Sequence, residues 1–196
     1  MIKKIIISLF LLIIHIFLTY NVHISGKTFY NNRINKNKHI PKVYDIGFKY
    51  IPDLSSYIYL KILVNILPGI LQAISLLFFN HNVILTFFEL NFYINIIRYI
   101  FTSLTILPKM YNCDDSKFTI KNIIFGHCYD KIYSGHFASM MILILIAHHM
   151  NELPNIYLSY LFLIIYGIMI IAVRFHYTID IAVAILVSII VYKFNI

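Results

Sequence analysis

Hydrophobic residues make up 60% of this 196-residue chain and charged residues only 12%, whereas soluble domains are about 45–50% apolar. This composition excludes a soluble globular domain and predicts an all-α membrane protein that crosses the bilayer several times. The net charge of +8 does not indicate a nucleic-acid partner, because the basic residues lie in loops between apolar runs and form no basic helix or aromatic RNA-binding motif. The expected anionic partners are membrane lipid headgroups.

Six apolar stretches follow one another along the chain, and each is predicted to form one transmembrane helix of a bundle. Residues 1–22 form either the first transmembrane helix or a signal anchor or signal peptide, since Lys3 and Lys4 precede an apolar run without a clear cleavage site. A loop over 23–56 follows on the active-site side, and residues 57–196 are predicted to form a membrane-embedded catalytic bundle, in a chain that is a single domain overall. The stretches are Ile5–Tyr20, Tyr57–Phe79, Val83–Leu107, Ser134–Met150, Ile156–Val173 and Tyr177–Tyr192.

The order of the loops places two histidine-containing segments on one face of the membrane. With six spans, the loop Pro108–Tyr133 and the turn Arg174–His176 must lie on the same side. The forty residues between His136 and His176 suffice for one helix, a short turn containing Pro154 and a returning helix. A helical hairpin is therefore predicted to bring the two histidines together.

His176 and Asp180 are predicted to form a catalytic pair. They are four residues apart, and they share one helix face if the sixth helix starts at His176. Asp180 would then bind one imidazole nitrogen and fix the tautomer, which leaves the other nitrogen as a base or nucleophile. Ionisable groups at this depth of a membrane usually mark a functional site.

The segment Ser134-Gly135-His136 opens the fourth span with backbone N–H groups that have no partner within the helix. The sixth span begins on the same face. Two helix N-termini together with Arg174 and Lys131 predict a cradle for a phosphate, in which His136 donates or withdraws a proton. A histidine at a membrane interface is commonly only an amphipathic anchor, so the prediction rests on the joint placement of both segments.

These segments resemble the two catalytic motifs of the sphingomyelin synthase family, within the type 2 phosphatidic acid phosphatase superfamily. One family motif reads cysteine, glycine, aspartate, three residues, serine, glycine, histidine, and Cys128–His136 is similar to it. The other reads histidine, tyrosine, serine or threonine, any residue, aspartate, and His176–Asp180 fits it. Arg98 and the pair Leu107-Pro108 resemble further family positions, and residues 44–54 more loosely resemble the family's Leu-Pro-Asp segment.

The resemblance implies a headgroup transfer that needs no metal or cofactor. His176 would attack the lipid phosphorus, Asp180 would orient it, and His136 would protonate the leaving diacylglycerol and then deprotonate the acceptor, ceramide. Tyr129 replaces the family's glycine and Phe137 replaces a common threonine, and both departures bear on headgroup and acceptor specificity. The predicted substrate-binding residues are Arg98, Lys131, Ser134, Gly135, Arg174 and Tyr177.

Arg98 lies within an apolar run, about 14 Å below Leu107 at the rise of a helix. Glu89 is nine residues earlier and so lies on the opposite helix face. Arg98 must therefore either extend towards the site or pair with another helix, and we predict that it extends towards the site as a phosphate ligand.

Two cysteines, Cys113 and Cys128, bracket one loop on the motif side. They are expected to form a disulfide if that side faces a lumen or the exterior, and to be free thiols if it faces the cytosol. A zinc site from these cysteines with His127 and Asp130 is disfavoured because the spacing matches no usual structural pattern.

The sequence gives two opposing indications of the orientation in the membrane. Eleven of the sixteen lysines and arginines lie on the motif side, which would make that side cytosolic by the positive-inside rule. The family resemblance implies an exoplasmic or lumenal active site, in the Golgi, the endoplasmic reticulum or the plasma membrane. We favour the second, because a phosphate-binding site gives the basic residues another purpose.

Three functions are compatible with these patterns. The first is transfer of a phosphoalcohol from a glycerophospholipid to ceramide, the second is lipid phosphate hydrolysis with water as acceptor, and the third is an inactive membrane scaffold. The phosphatase signature requires an arginine six residues before the second histidine, where this chain has Ile170. Transfer is therefore the predicted reaction; the headgroup and the acceptor stay open, and a homo-oligomer is compatible with the sequence.

Overall fold

The computed structural model describes residues 2–35, 43–108, 128–129, 131–153 and 155–196. Over these residues all regular structure is helical, as the composition predicts. The helices are α1 (Ile2–Asn35), α2 (Ile46–Tyr50), α3 (Ile58–Phe78), α4 (His81–Leu104), α5 (Gly135–His149), α6 (Ile156–Ala172) and α7 (Thr178–Asn195).

Three of the described helices are long and apolar enough to cross a membrane, whereas the sequence predicts six spans. They are α3 over Ile58–Ser75, α4 and α7. Helices α5 and α6 are apolar but have only 15 and 17 residues, or roughly 22 and 26 Å at the rise of an α-helix, against about 30 Å for a hydrocarbon core. The chain is therefore a helical membrane protein, and six spans remain a prediction.

Residue contacts divide the chain into two compact units, although the sequence suggests a single domain. The first unit comprises 1–44 and 99–132, and the second comprises 45–98 and 133–196. Both histidine segments lie in the second unit.

In the first unit, α1 continues to Asn35, well beyond the predicted boundary at residue 22. The apolar run ends at Tyr20, but one helix face continues through Val22, Gly26 and Tyr30 and packs against Tyr129. A Cβ on Gly26 would lie 2.5 Å from the Tyr129 ring, so only glycine permits this approach. Tertiary packing thus extends the helix where hydropathy indicates a loop.

In the second unit, α5 packs against α3, α6 and α7. Helices α5 and α7 approach closely because small residues, Ala138, Ala184 and Ser188, are fully buried, as is common between helices in membranes. The Ser188 hydroxyl lies 2.7 Å from the carbonyl of Ala184 and 3.3 Å from that of Ala138. Since Ser134 contacts Asp180 at the other end of the same interface, the two helices run parallel.

Helices α5 and α6 end in the same motif. Asn151 and Arg174 both have left-handed backbone conformations, with φ of 58° and 59°. In each case the N–H of this residue and of the next one bind carbonyls of the last helical turn, which is a Schellman motif. Asparagine tolerates this conformation, but arginine rarely adopts it, so the Arg174 side chain must contribute compensating contacts.

Helix α3 contains Pro68, which cannot donate to the carbonyl of Val64 four residues earlier. The buried Tyr166 hydroxyl of α6 donates to that carbonyl at 3.2 Å. A free backbone carbonyl is costly where water is absent. Tyr166 thus satisfies the acceptor that the proline leaves open.

We expect Tyr166→Phe to lower the unfolding free energy in detergent or bicelles by roughly 1 kcal/mol. In a Pro68→Ala background the same substitution should lower the unfolding free energy by less, because the N–H of residue 68 can then bind the carbonyl of Val64. An equal loss in both backgrounds would contradict this role of the hydroxyl.

Candidate active site

The His176 and Asp180 side chains are in contact and buried. His176 Nδ1 lies 3.3 Å from Asp180 Oδ2, and the two residues are 9% and 0% exposed. The pairing agrees with the predicted spacing, but α7 begins at Thr178, so His176 precedes the helix instead of opening it. The contact with Asp180 orients the His176 imidazole through Nδ1.

Asp180 is held by the start of its own helix. Its Oδ2 also accepts a hydrogen bond from the N–H of Tyr177 at 2.9 Å, which satisfies a donor at the helix N-terminus. Its Oδ1 is buried and has no hydrogen-bond partner among the described residues. A buried carboxylate oxygen without a partner costs free energy.

A backbone hydrogen bond joins the starts of α5 and α7. The N–H of Ser134 donates to the carbonyl of Asp180 at 3.4 Å, and the Ser134 hydroxyl accepts from the N–H of Phe137 as the N-cap of α5. His136 is the second residue of α5 and is partly buried. The fold therefore brings the segments 134–136 and 176–180 to one end of the α5–α7 pair.

Arg98 of α4 lies against the same segment. Its Nε donates to the carbonyl of Tyr133 at 3.3 Å, and a Cβ on Gly135 would lie 3.3 Å from its Cδ and Nε. The buried Tyr133 hydroxyl in turn donates to the carbonyl of Ile94, one turn earlier on α4. The arginine thus extends towards the start of α5, where Gly135 leaves room for it, and its role as a phosphate ligand stays a prediction.

Arg174 contacts the segment 48–53, and its predicted part in a phosphate cradle stays a prediction. Its Nη2 donates to the carbonyls of Phe48 and Ile51 at 3.4 and 3.1 Å, and its guanidinium lies 4.1 Å from the Phe48 ring centre. Its Nε lies 3.5 Å from an Asp53 carboxylate oxygen. Hydrogen bonds from Ser55 hold the Asp53 pKa below its usual range, and Arg174 lowers it further.

Asp45 connects α2 to the start of α7, which sequence reasoning did not predict. Its Oδ1 accepts from the N–H of Phe48 at 2.9 Å and from the hydroxyl of Thr178 at 2.7 Å, and its Oδ2 accepts from the N–H of Thr178 at 2.7 Å. The Phe48 and Tyr177 rings stack with centres 5.4 Å apart. One carboxylate thus caps both helices. Its contact with α7 is at Thr178, two residues after His176.

The only sequence signal for Asp45 was the loose family resemblance of residues 44–54, which did not indicate its partner. The sequence likewise gave no sign that Thr178 and Tyr133 form contacts with distant segments. Their roles depend on segments 133 and 39 residues away in the chain, and no local pattern encodes such distances.

For the other predicted residues the described contacts give no role in the site. Lys131 belongs to the first unit. Cys128 is buried and disulfide-bonded, but Cys113 lies outside the described residues, so their pairing stays a prediction. His127 and Asp130 of the disfavoured zinc site also lie outside the described residues.

Residues 127–196 match the family model described as PAP2 superfamily C-terminal. No curated protein and no solved structure matches the chain. The match contains α5 to α7 and both histidine segments, and it supports the type 2 phosphatidic acid phosphatase superfamily. Members of this superfamily are generally phosphatases or phosphotransferases, so the match supports an enzyme. It does not distinguish the sphingomyelin synthase family from the others.

Proposed function

We propose that this chain is a headgroup transferase of the sphingomyelin synthase type. It moves a phosphoalcohol from a glycerophospholipid, such as phosphatidylcholine, to ceramide and releases diacylglycerol. The observation that carries the proposal is the buried His176–Asp180 contact, joined by a backbone hydrogen bond to the start of the helix that bears His136. A nucleophile with an orienting carboxylate, beside a second acid–base group, is the arrangement that covalent transfer requires.

In the first step, Nε2 of neutral His176 attacks the donor phosphorus. The bond from phosphorus to the diacylglycerol oxygen breaks, and protonated His136 gives its proton to that oxygen. Asp180 accepts the Nδ1–H hydrogen bond and stabilises the positive charge that develops on the His176 ring. The products are diacylglycerol and a phosphohistidine that carries the headgroup.

In the second step, His136 removes the proton of the ceramide hydroxyl while its oxygen attacks the phosphohistidine. The nitrogen–phosphorus bond breaks, and neutral His176 and protonated His136 are regenerated. Exclusion of water from the phosphohistidine decides between transfer and hydrolysis.

Negative charge on the phosphoryl oxygens is stabilised by the residues around the two helix starts. Arg98, Ser134, the backbone N–H group of Gly135, and Tyr177 are assigned to substrate binding, since helix N-termini and guanidinium groups bind phosphate. Lys131 stays a proposed ligand. We assign Arg174 to holding the segment 48–53, on the basis of its hydrogen bonds.

We propose that the site faces the exoplasmic or lumenal side. The disulfide at Cys128 supports this orientation, because disulfides persist in oxidising compartments. Ceramide and glycerophospholipid are both membrane components, so both substrates reach the site within the bilayer.

The test is reconstitution of the full chain into vesicles that contain ceramide and one donor at a time, with choline, ethanolamine or inositol as the headgroup. Mass spectrometry should detect diacylglycerol and the matching sphingophospholipid in equal amounts, and His176→Ala should form neither. Release of free phosphate or free phosphoalcohol without a sphingolipid product would indicate hydrolysis. Equal turnover by His176→Ala would exclude this mechanism.

A further inference from the structure

An apolar groove of about 330 Å³ lies on the surface formed by α5, α6 and α7. Its walls include Phe137 of α5, Ile164 and Ile168 of α6, and Ile181 of α7. A groove of this size is within the range of small-ligand sites. Its apolar lining suits hydrocarbon.

The groove begins at the reacting end of the helices. Phe137 and Ile181 follow His136 and Asp180 directly in the chain, and both line the groove. Gly167 forms part of the floor, where a Cβ would lie 3.1 Å from the Phe137 ring and 3.5 Å from Ile181. The absence of a side chain at this position keeps the upper part of the groove open.

From that end the groove follows α6 away from the histidines. Ile171, Ile168, Ile164 and Tyr160 line it in succession, over roughly 16 Å at the rise of an α-helix. Ile164 and Ile168 are 59% and 47% exposed, so this wall is open on the outer side of the helix. A chain in the groove can therefore enter sideways from the bilayer.

We propose that this groove holds one acyl chain of the glycerophospholipid donor during the first step, an inference that rests on the proposed function. A donor with its phosphorus at His176 has its glycerol beside Phe137 and Ile181, and the hydrocarbon attached to that glycerol continues along α6. Because the chain already lies in hydrocarbon, the groove does not gain affinity by removing it from water. It orients the donor, and orientation affects the rate of the chemical step.

A second apolar cleft, of about 280 Å³, provides the matched control. It lies between α3, α5 and α6 and includes Leu153 and Leu158, near the end of α5 opposite to His136. Its lining is also apolar, but it does not contain the residues next to the histidines. A general affinity of grooves for lipid would affect both clefts, whereas the proposal concerns only the first.

The test uses the full chain in vesicles and a phosphatidylcholine that carries a photoreactive diazirine in one acyl chain. We expect labelling of peptides that contain Ile164 and Ile168, in wild type and equally in His176→Ala, since binding precedes chemistry. Ile168→Trp should reduce this labelling and lower kcat/KM for long-chain donors about tenfold, with little effect on short-chain donors. Leu158→Trp, at an exposed position of the second cleft, should change neither.

Three results would overturn the assignment: equal labelling of both clefts, equal effects of the two tryptophan variants, or labelling of the groove by a diazirine ceramide and not by the donor. Selective labelling without turnover of any donor would exclude the transferase proposal and retain the groove. Turnover with unselective labelling would exclude the groove and retain the transferase.

Discussion

Asp180→Asn is expected to lower headgroup transfer by roughly 10³ to 10⁴-fold while the helices remain in place. The amide oxygen can take the position of Oδ2 and keep the contacts with His176 and the N–H of Tyr177. The negative charge that stabilises the positively charged His176 ring is lost. Steady-state kinetics of diacylglycerol release and trapping of the phosphohistidine would measure the effect.

The control is Glu152→Gln, which makes the same chemical change beyond the opposite end of α5 and should leave turnover unchanged. The Asp180→Asn substitution places an NH₂ group where Oδ1 has no partner among the described residues, so some loss of stability is expected as well. Rates are therefore to be compared per folded molecule. A loss below tenfold would mean that Asp180 does not support the nucleophile.

Arg98→Ala is expected to reduce kcat/KM by about 10² to 10³-fold, the usual cost of removing one group that stabilises developing charge. Arg98→Lys retains the charge but cannot reproduce a guanidinium that binds the Tyr133 carbonyl and a phosphate at once. It should therefore recover only part of the activity. Measurement of kcat, KM and unfolding free energy for both variants separates binding from folding.

If Arg98 served only to pack α4 against the loop before α5, the alanine variant would lose stability but keep the kcat of its folded fraction. Lys61→Ala provides the comparison, since Lys61 is a basic residue in the apolar helix α3 and has no role in the proposed site. Its kcat and KM should match those of the wild type. Equal kinetics for Arg98→Ala and Lys61→Ala would exclude the phosphate role.

The sequence was informative where the interactions are local. Spacing alone predicted the contact of His176 with Asp180, and the ends of α3 and α6 fall within one residue of the predicted spans. The sixth predicted stretch likewise starts at Tyr177, one residue before α7, although tyrosine is not a usual N-cap residue. The extension of α1 was missed because its polar continuation packs, through Tyr30, against the ring of Tyr129, which is 99 residues away.

Arg174 shows why the site could only partly be predicted. Its neighbours in the sequence suggested a phosphate ligand, a role that stays a prediction, and gave no sign that its left-handed backbone and the carbonyls of the segment 48–53 hold its guanidinium. These partners are more than 120 residues away. The residue types indicated the chemistry of the site. Which residue binds substrate and which one holds another segment in place depends on tertiary contacts.

The double cap formed by Asp45 has a consequence for dissecting this protein. The part that matches the family model starts at residue 127. The N–H of Thr178, at the start of its last helix, is bound by the carboxylate of Asp45. Asp45 lies more than eighty residues before the start of the matching part. A fragment limited to the matching part would expose that donor and release the turn that carries His176. A fragment that retains this cap must therefore include Asp45.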